Sequence, residues 1–161
     1  MQRRATVLAF LLCVLLGQTA SAEIDGNRFT DPASQLELTV PPDWRLSEHS
    51  SYPGILLFAV NGRARMTLAA ESVPDGIAIR SHCELSERTL KKAGFVIRLL
   101  APHPSGAYIL DATGPDKKTR VRQGYYIRGG IAYVLTLAAP AVEIRSHYRA
   151  FSDTLRSLLF Q

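Results

Sequence analysis

The chain has 161 residues, of which 47% are hydrophobic and 20% charged, with a net charge of +5. That is enough apolar material for one packed domain, and too small a basic excess for a nucleic-acid binder. With two cysteines in the whole sequence, a disulfide scaffold is excluded as well.

The first 22 residues have the three parts of a secretory leader. Arg3 and Arg4 give a positive start, an apolar run follows from Val7 to Leu16, and Ala20-Ser21-Ala22 offers small residues for cleavage. The run is shorter than the roughly 20 residues that a membrane-spanning helix needs. Cys13 lies inside it behind the bulky Leu12, which argues against a lipoprotein. Cleavage after about Ala22 leaves one domain over 23–161, with a net charge of +3 and Cys83 as the single cysteine. The expectation is a periplasmic or secreted protein, not transmembrane once cleaved.

Residues 23–27 read as a short polar lead. Leu36, Leu38 and Val40 alternate with polar residues, the period-2 mark of a half-buried strand, and Pro41-Pro42 stops it. Trp44 follows as a core anchor, and 46–54 reads as a polar loop. Two apolar runs on either side of Asn61-Gly62 predict a hairpin, because both residues tolerate positive φ. A helix is expected over 75–93, capped by Asp75 or by Ser81 with Glu84. Ile79, Cys83, Ser86, Leu90 and Ala93 share one of its faces, with His82 on the flank. Lys91, Lys92 and Gly94 supply helix-ending chemistry. Strands are predicted at 95–101, 106–113, 118–128 and 131–139, with turns at 114–117 and at Gly129-Gly130. Ile144, Tyr148, Phe151, Leu155 and Leu158 form the apolar stripe of a closing helix over 142–159. The predicted class is therefore α+β, an antiparallel sheet with helices packed on its faces.

Three stretches resemble the PsbP-like family, named for an extrinsic subunit of photosystem II. Leu36-Glu37-Leu38-Thr39-Val40-Pro41-Pro42-Asp43-Trp44, with Phe29 ahead of it, is similar to that family's opening motif. Gly129-Gly130-Ile131-Ala132-Tyr133-Val134-Leu135-Thr136, with Pro140 after it, is similar to its last strand. Residues from Phe151 to Leu158 are similar to its closing helix. The resemblance covers about 28–160. It implies an α/β/α sandwich around an antiparallel sheet and a non-catalytic accessory or binding role, and it supplies no catalytic residues.

Catalytic signals are sparse. There is no Gly-x-Ser-x-Gly elbow, and His82 and Cys83 are neighbours whose side chains diverge by about 100° on a helix. The histidines at 49, 82, 103 and 147 show no helical zinc spacing. A tight turn at 114–117 sets Asp111 opposite Arg120 as a cross-strand ion pair. Cys83 is expected to be a buried thiol. No cofactor or metal site is expected.

The basic residues carry the main functional signal. Lys118, Arg120 and Arg122 alternate with Thr119, Val121 and Gln123, so a strand turns them to one side about 7 Å apart. Lys117 lies at the turn, and Arg128 shares their parity. They read either as a solvated strand whose charges discourage edge pairing, or as a docking stripe for an acidic envelope protein or an anionic membrane surface. Continuing the Gly129-Gly130 hairpin sets Leu137 opposite Arg122, so part of that side must be covered. The leading expectation is an exported, non-catalytic accessory protein acting through protein–protein contacts. A periplasmic module for a small ligand or metal, and an enzyme of unrecognised type, are the alternatives.

Overall fold

The computed structural model describes residues 22–48 and 54–160. The leader read at 1–22 thus lies outside the described residues apart from Ala22, as do residues 49–53 of the expected loop. Among the described residues the strands form two antiparallel sheets, with a helix on each side of the larger one.

The smaller sheet contains β1 (Glu23–Asp25), β2 (Arg28–Asp31), β3 (Leu36–Thr39) and β11 (Leu159–Phe160), in the order β1-β2-β3-β11. Phe29, Leu36 and Leu38 are buried in it, the two leucines as the alternation predicts, together with Asp31. After Val40 the chain turns, with the Trp44 N–H donating to the Pro41 carbonyl, and Trp44 is carried into the core at 3% exposure.

The larger sheet holds β4 (Arg45–Glu48), β5 (Ile55–Asn61), β6 (Ala64–Ser72), β7 (Val96–Pro102), β8 (Tyr108–Thr113), β9 (Thr119–Arg128) and β10 (Ile131–Pro140). Its order is β4-β5-β6-β10-β9-β8-β7. The last strand of this sheet in chain order, β10, is thus inserted between β6 and β9 and joins the two hairpin halves. The Gly129-Gly130 turn sets Arg128 against Ile131 and carries the register on to Leu137 opposite Arg122, as expected.

Helix α1 (Ile79–Lys92) covers one face through Cys83 and, at its margins, Ile79 and Leu90, against Leu110, Ala112, Tyr125 and Val134. On the other face a 3-10 turn (Ile144–His147) leads into α2 (Tyr148–Ser157). Ile144, Phe151, Leu155 and Leu158 meet the smaller sheet and the Leu57, Met66, Leu68, Leu135 and Leu137 side of the larger one in the main core. The Thr39 N–H donates to Ser157 Oγ at 2.9 Å, tying the end of α2 to β3.

Several expectations are corrected. The strands divide into two sheets, not one. The polar lead contains β1, and part of the expected loop is β4, an edge strand whose Leu46 packs against the core. The hairpin turn falls on Gly62-Arg63, because Asn61 still pairs with Ala64. Helix α1 begins at Ile79 behind Ala78, with no side-chain cap from Asp75 or Ser81. The closing helix begins later than 142, its first turn being the 3-10 turn, and ends at Ser157, where the chain becomes extended.

The β8–β9 register is also two residues away from the tight-turn expectation. Lys117 takes a left-handed φ of 58°, and the Asp116 carboxylate accepts hydrogen bonds from the N–H groups of Lys118 and Thr119 and from the Thr119 hydroxyl. Those bonds hold Asp116 below the usual carboxylate range. They close a wider loop, so Asp111 opposes Arg122 and Thr113 opposes Arg120. A shift of two keeps the same face and changes only the partner.

Candidate functional site

The alternating basic residues do not form a uniform exposed row. Even-numbered positions of β9 face α2: a Cβ on Gly124 would lie 2.7 Å from a Leu155 methyl. Arg122 is on this covered side. Its Nε and Nη2 donate to the two Asp111 oxygens, both at 2.7 Å, and its guanidinium lies 3.7 Å from the centre of the Tyr148 ring. The side chains of Arg122 and Asp111 are only 17% and 8% exposed. Burial opposes the Arg122 charge, but the Asp111 hydrogen bonds and charge outweigh it and raise the guanidinium pKa. The stripe expectation is thereby corrected for Arg122, which is a structural ion-pair residue, and the Asp111 partner is Arg122 rather than Arg120. Arg120 is half-buried, whereas Lys117, Lys118 and Arg128 are exposed. Arg128 lies at the far end of β9, over the Phe160 ring.

The exposed charge gathers instead at the loop end of the larger sheet. Arg63, Arg65 and Lys118 line a shallow groove of about 350 Å³ floored by Ala138, Ala139 and Pro140, with Lys117 next to Lys118 in the loop. The strand order creates this meeting: Ala138 of β10 pairs with Arg65 on one side and Val121 on the other. Glu143 forms an ion pair with Arg63, and Asp116 lies in the loop itself. Arg63 and Arg65 were not singled out in the sequence, since only the β6-β10-β9 order brings them near Lys118.

A second concavity lies between α1 and the part of the sheet that α1 leaves open. This cleft, about 600 Å³, is lined mainly by apolar groups such as Ile55, Ala69, Leu85, Leu90 and Val134. Its volume is in the range of small-molecule sites. On its floor the Tyr125 hydroxyl donates to Gln123 Oε1 at 2.6 Å, and Gln123 Nε2 donates to Thr136 Oγ1 at 3.2 Å. On its wall His82, only 7% exposed, sets its ring edge-on to Tyr125 at 5.8 Å. The His82 Nε2 is 3.1 Å from Glu71 Oε1, but the two are not aligned for a hydrogen bond, so Nε2 remains unsatisfied. The helical wheel placed His82 at the flank of α1, while its neighbour Glu71 comes from β6 and had no sequence signal.

Behind this wall Cys83 is fully buried, as expected for a thiol on the inner face of α1. Burial pushes its pKa from 9.0 up to about 12, which lowers the thiolate fraction at neutral pH about a thousandfold. Burial also raises the Tyr125 phenol. Alkylation by iodoacetamide at neutral pH should therefore be at least about a thousandfold slower in the folded chain than in urea. The sign for stability follows from the same shift: the unfolded thiol ionises from 9.0 and the folded one near 12. Stability held by the neutral thiol is complete below pH 9, and it is lost as the pH rises toward 12. Rapid native alkylation, or a folded state equally stable at pH 8 and pH 11, would overturn this picture.

His103 sits in the loop after β7, where its Nδ1 meets Ser105 Oγ at 2.9 Å and the Ser105 N–H at 3.2 Å. Burial, with the charges of Arg156 and Arg122, lowers its pKa. Among the described residues, no three His, Cys, Asp or Glu side chains gather as a metal set. Nor is any described helix long and apolar enough to cross a membrane.

Compared with known proteins, the chain matches no family model and no curated sequence. Solved structures do match. The fold is similar to cyanobacterial PsbP from Synechocystis, with a TM-score of 0.64 at 12% identity over 91% of this chain and 99% of that one. It is similar to the Ran-binding protein Mog1p of Saccharomyces cerevisiae, with a TM-score of 0.63 at 9% identity over 85% and 96% of the two chains. It is also similar to LpqN of Mycobacterium tuberculosis, a protein involved in cell envelope biogenesis, with a TM-score of 0.51 at 21% identity over 76% and 81%. The chain thus has the PsbP-like α+β fold that its sequence resembles. At these identities the likeness is one of fold, and fold alone does not carry function.

Proposed function

We propose that the chain is an exported, non-catalytic binding protein of the cell envelope that holds an acidic partner protein through the loop end of its larger sheet. The observation that carries this reading is the convergence of Arg63, Arg65 and Lys118 on one shallow groove, with Lys117 next to Lys118 in the loop. Such a cluster adds little to folding, because exposed charges are screened by water and salt. Its field instead raises the encounter rate with an oppositely charged surface. The leader-like residues 1–22 support export. Mog1p, of similar fold, binds a protein, and LpqN belongs to an envelope process; both are compatible with the same kind of work.

The test compares the exported chain with a triple variant, Arg65→Glu, Lys117→Glu and Lys118→Glu, on immobilised poly-L-glutamate and on phosphatidylglycerol vesicles. All three positions are exposed, so the variant should fold as the parent does. The parent should be retained on polyglutamate, with affinity falling as salt rises, and the variant should bind at least about tenfold more weakly. Equal retention of both proteins would refute the reading. Retention of the parent by vesicles but not by polyglutamate would assign the surface to a membrane and refute the acidic-protein reading.

A further inference from the structure

We infer that the cleft beside α1 is a binding site for a small primary amine with an apolar body, whose ammonium group is received by the Glu71 carboxylate and the His82 imidazole. The site is separate from the basic groove, and its case does not depend on that groove having a partner.

His82 is more than nine-tenths buried, and among the described residues its Nε2 is one of three buried side-chain polar atoms without a hydrogen bond, the others being on Trp44 and Thr154. Of the three residues, His82 is the one that lines this cleft. A buried polar atom left unsatisfied costs on the order of 1–3 kcal/mol, so it marks a place where a partner group is due. Glu71 Oε1 lies 3.1 Å away but does not meet it in line. In the tautomer that carries its proton on Nδ1, Nε2 and the carboxylate oxygen facing it are two acceptors with no donor between them. An ammonium has three N–H donors on one nitrogen and can serve both.

The charge of the cleft suits a cation. Glu71 is the one Asp, Glu, Lys or Arg among the described residues lining the cleft. The chain as a whole is basic, so this local negative charge is unlike its surroundings. The Glu71 side chain is 58% exposed while His82 is 8% exposed, so the carboxylate is free to swing aside and let a ligand nitrogen reach Nε2. Its field extends to the floor of the cleft, where it helps to raise the Tyr125 phenol pKa.

The remaining lining fits the other half of such a molecule. Ala69, Leu85, Leu90 and Val134 offer apolar surface, and Leu85 leaves 47% of itself exposed at the rim. Burying an alkyl or aryl group there removes apolar area on both sides from water. The Tyr125 ring adds an aromatic neighbour of the kind that attracts organic cations.

Phenethylamine, protonated at neutral pH, is the probe, with 2-phenylethanol and 3-phenylpropanoate as neutral and anionic analogues of the same body. Binding is read from NMR shifts of the His82 and Tyr125 ring signals in the folded chain. The amine should shift both at millimolar concentration and bind at least about tenfold more tightly than the alcohol, and the propanoate should be the weakest. Glu71→Gln, at a largely exposed side chain, should leave the fold intact and bring amine and alcohol to equal affinity. His82→Phe should weaken the amine as well. If millimolar phenethylamine leaves both rings unmoved, or if Glu71→Gln keeps the full amine preference, the inference fails. A stronger response to the alcohol or the propanoate would also reject it.

Discussion

Replacing Arg122 with alanine should cost roughly 3–5 kcal/mol of folding stability, the usual penalty for stranding one member of a buried ion pair. The guanidinium satisfies both Asp111 oxygens at 2.7 Å on the sheet face that α2 covers, and it stacks 3.7 Å from the Tyr148 ring centre. Without it, the Asp111 side chain, 8% exposed in the intact chain, is left with its charge uncompensated. Arg120, on the same strand and side but half-buried near the loop, should lose about 0.5 kcal/mol or less on the same replacement. Urea unfolding with an unchanged m-value measures both. The double variant Arg122→Met with Asp111→Leu should recover much of the loss, because it removes both charges from the covered face. Equal effects at 120 and 122 would return Arg122 to the exposed basic surface.

Phe151→Ala should be comparably severe, at about 3–5 kcal/mol. Phe151 is 1% exposed and anchors α2 in the main core. The helix lies so close to β9 that a Cβ on Gly124 would come within 2.7 Å of a Leu155 methyl and 3.2 Å of Phe151 Cζ. Gly124 is therefore present for room. Gly124→Ala should cost about 1–3 kcal/mol through overpacking, and less than that in a Leu155→Ala background, where the nearest methyl is gone. Thermal and urea unfolding of the four chains decide whether the two sites are coupled. Strict additivity would mean that the strand–helix contact is looser than this geometry.

What the sequence made legible was local. The Gly129-Gly130 turn fixed the β9–β10 register because two residues in left-handed geometry close a hairpin by themselves. The stripe from Ile144 to Leu158 located the buried face of α2 because helical period survives in sequence. The failures came where a side chain or a distant strand decides. At 114–118 the Asp116 hydrogen bonds and the positive φ of Lys117 widened the turn and exchanged Arg120 for Arg122 as the Asp111 partner. The segments β1 and β4 are too short and polar to show a period, and β11 has only two residues. The two candidate sites depend on pairing across the chain: Arg65 reaches Lys118 only because β10 lies between β6 and β9, and Glu71 reaches His82 only because β6 runs past α1.

The central claim, that the exported chain holds an acidic protein at its loop end, is tested most directly by photocrosslinking in the envelope. A photoreactive residue is placed at position 118, beside the groove, and in a second protein at position 88, on the exposed side of α1. Position 118 should give one discrete adduct with an acidic envelope protein, and Arg65→Glu with Lys117→Glu should abolish it, while position 88 should give none. No adduct at 118, an adduct indifferent to those charge reversals, or adducts with lipid alone would contradict the account.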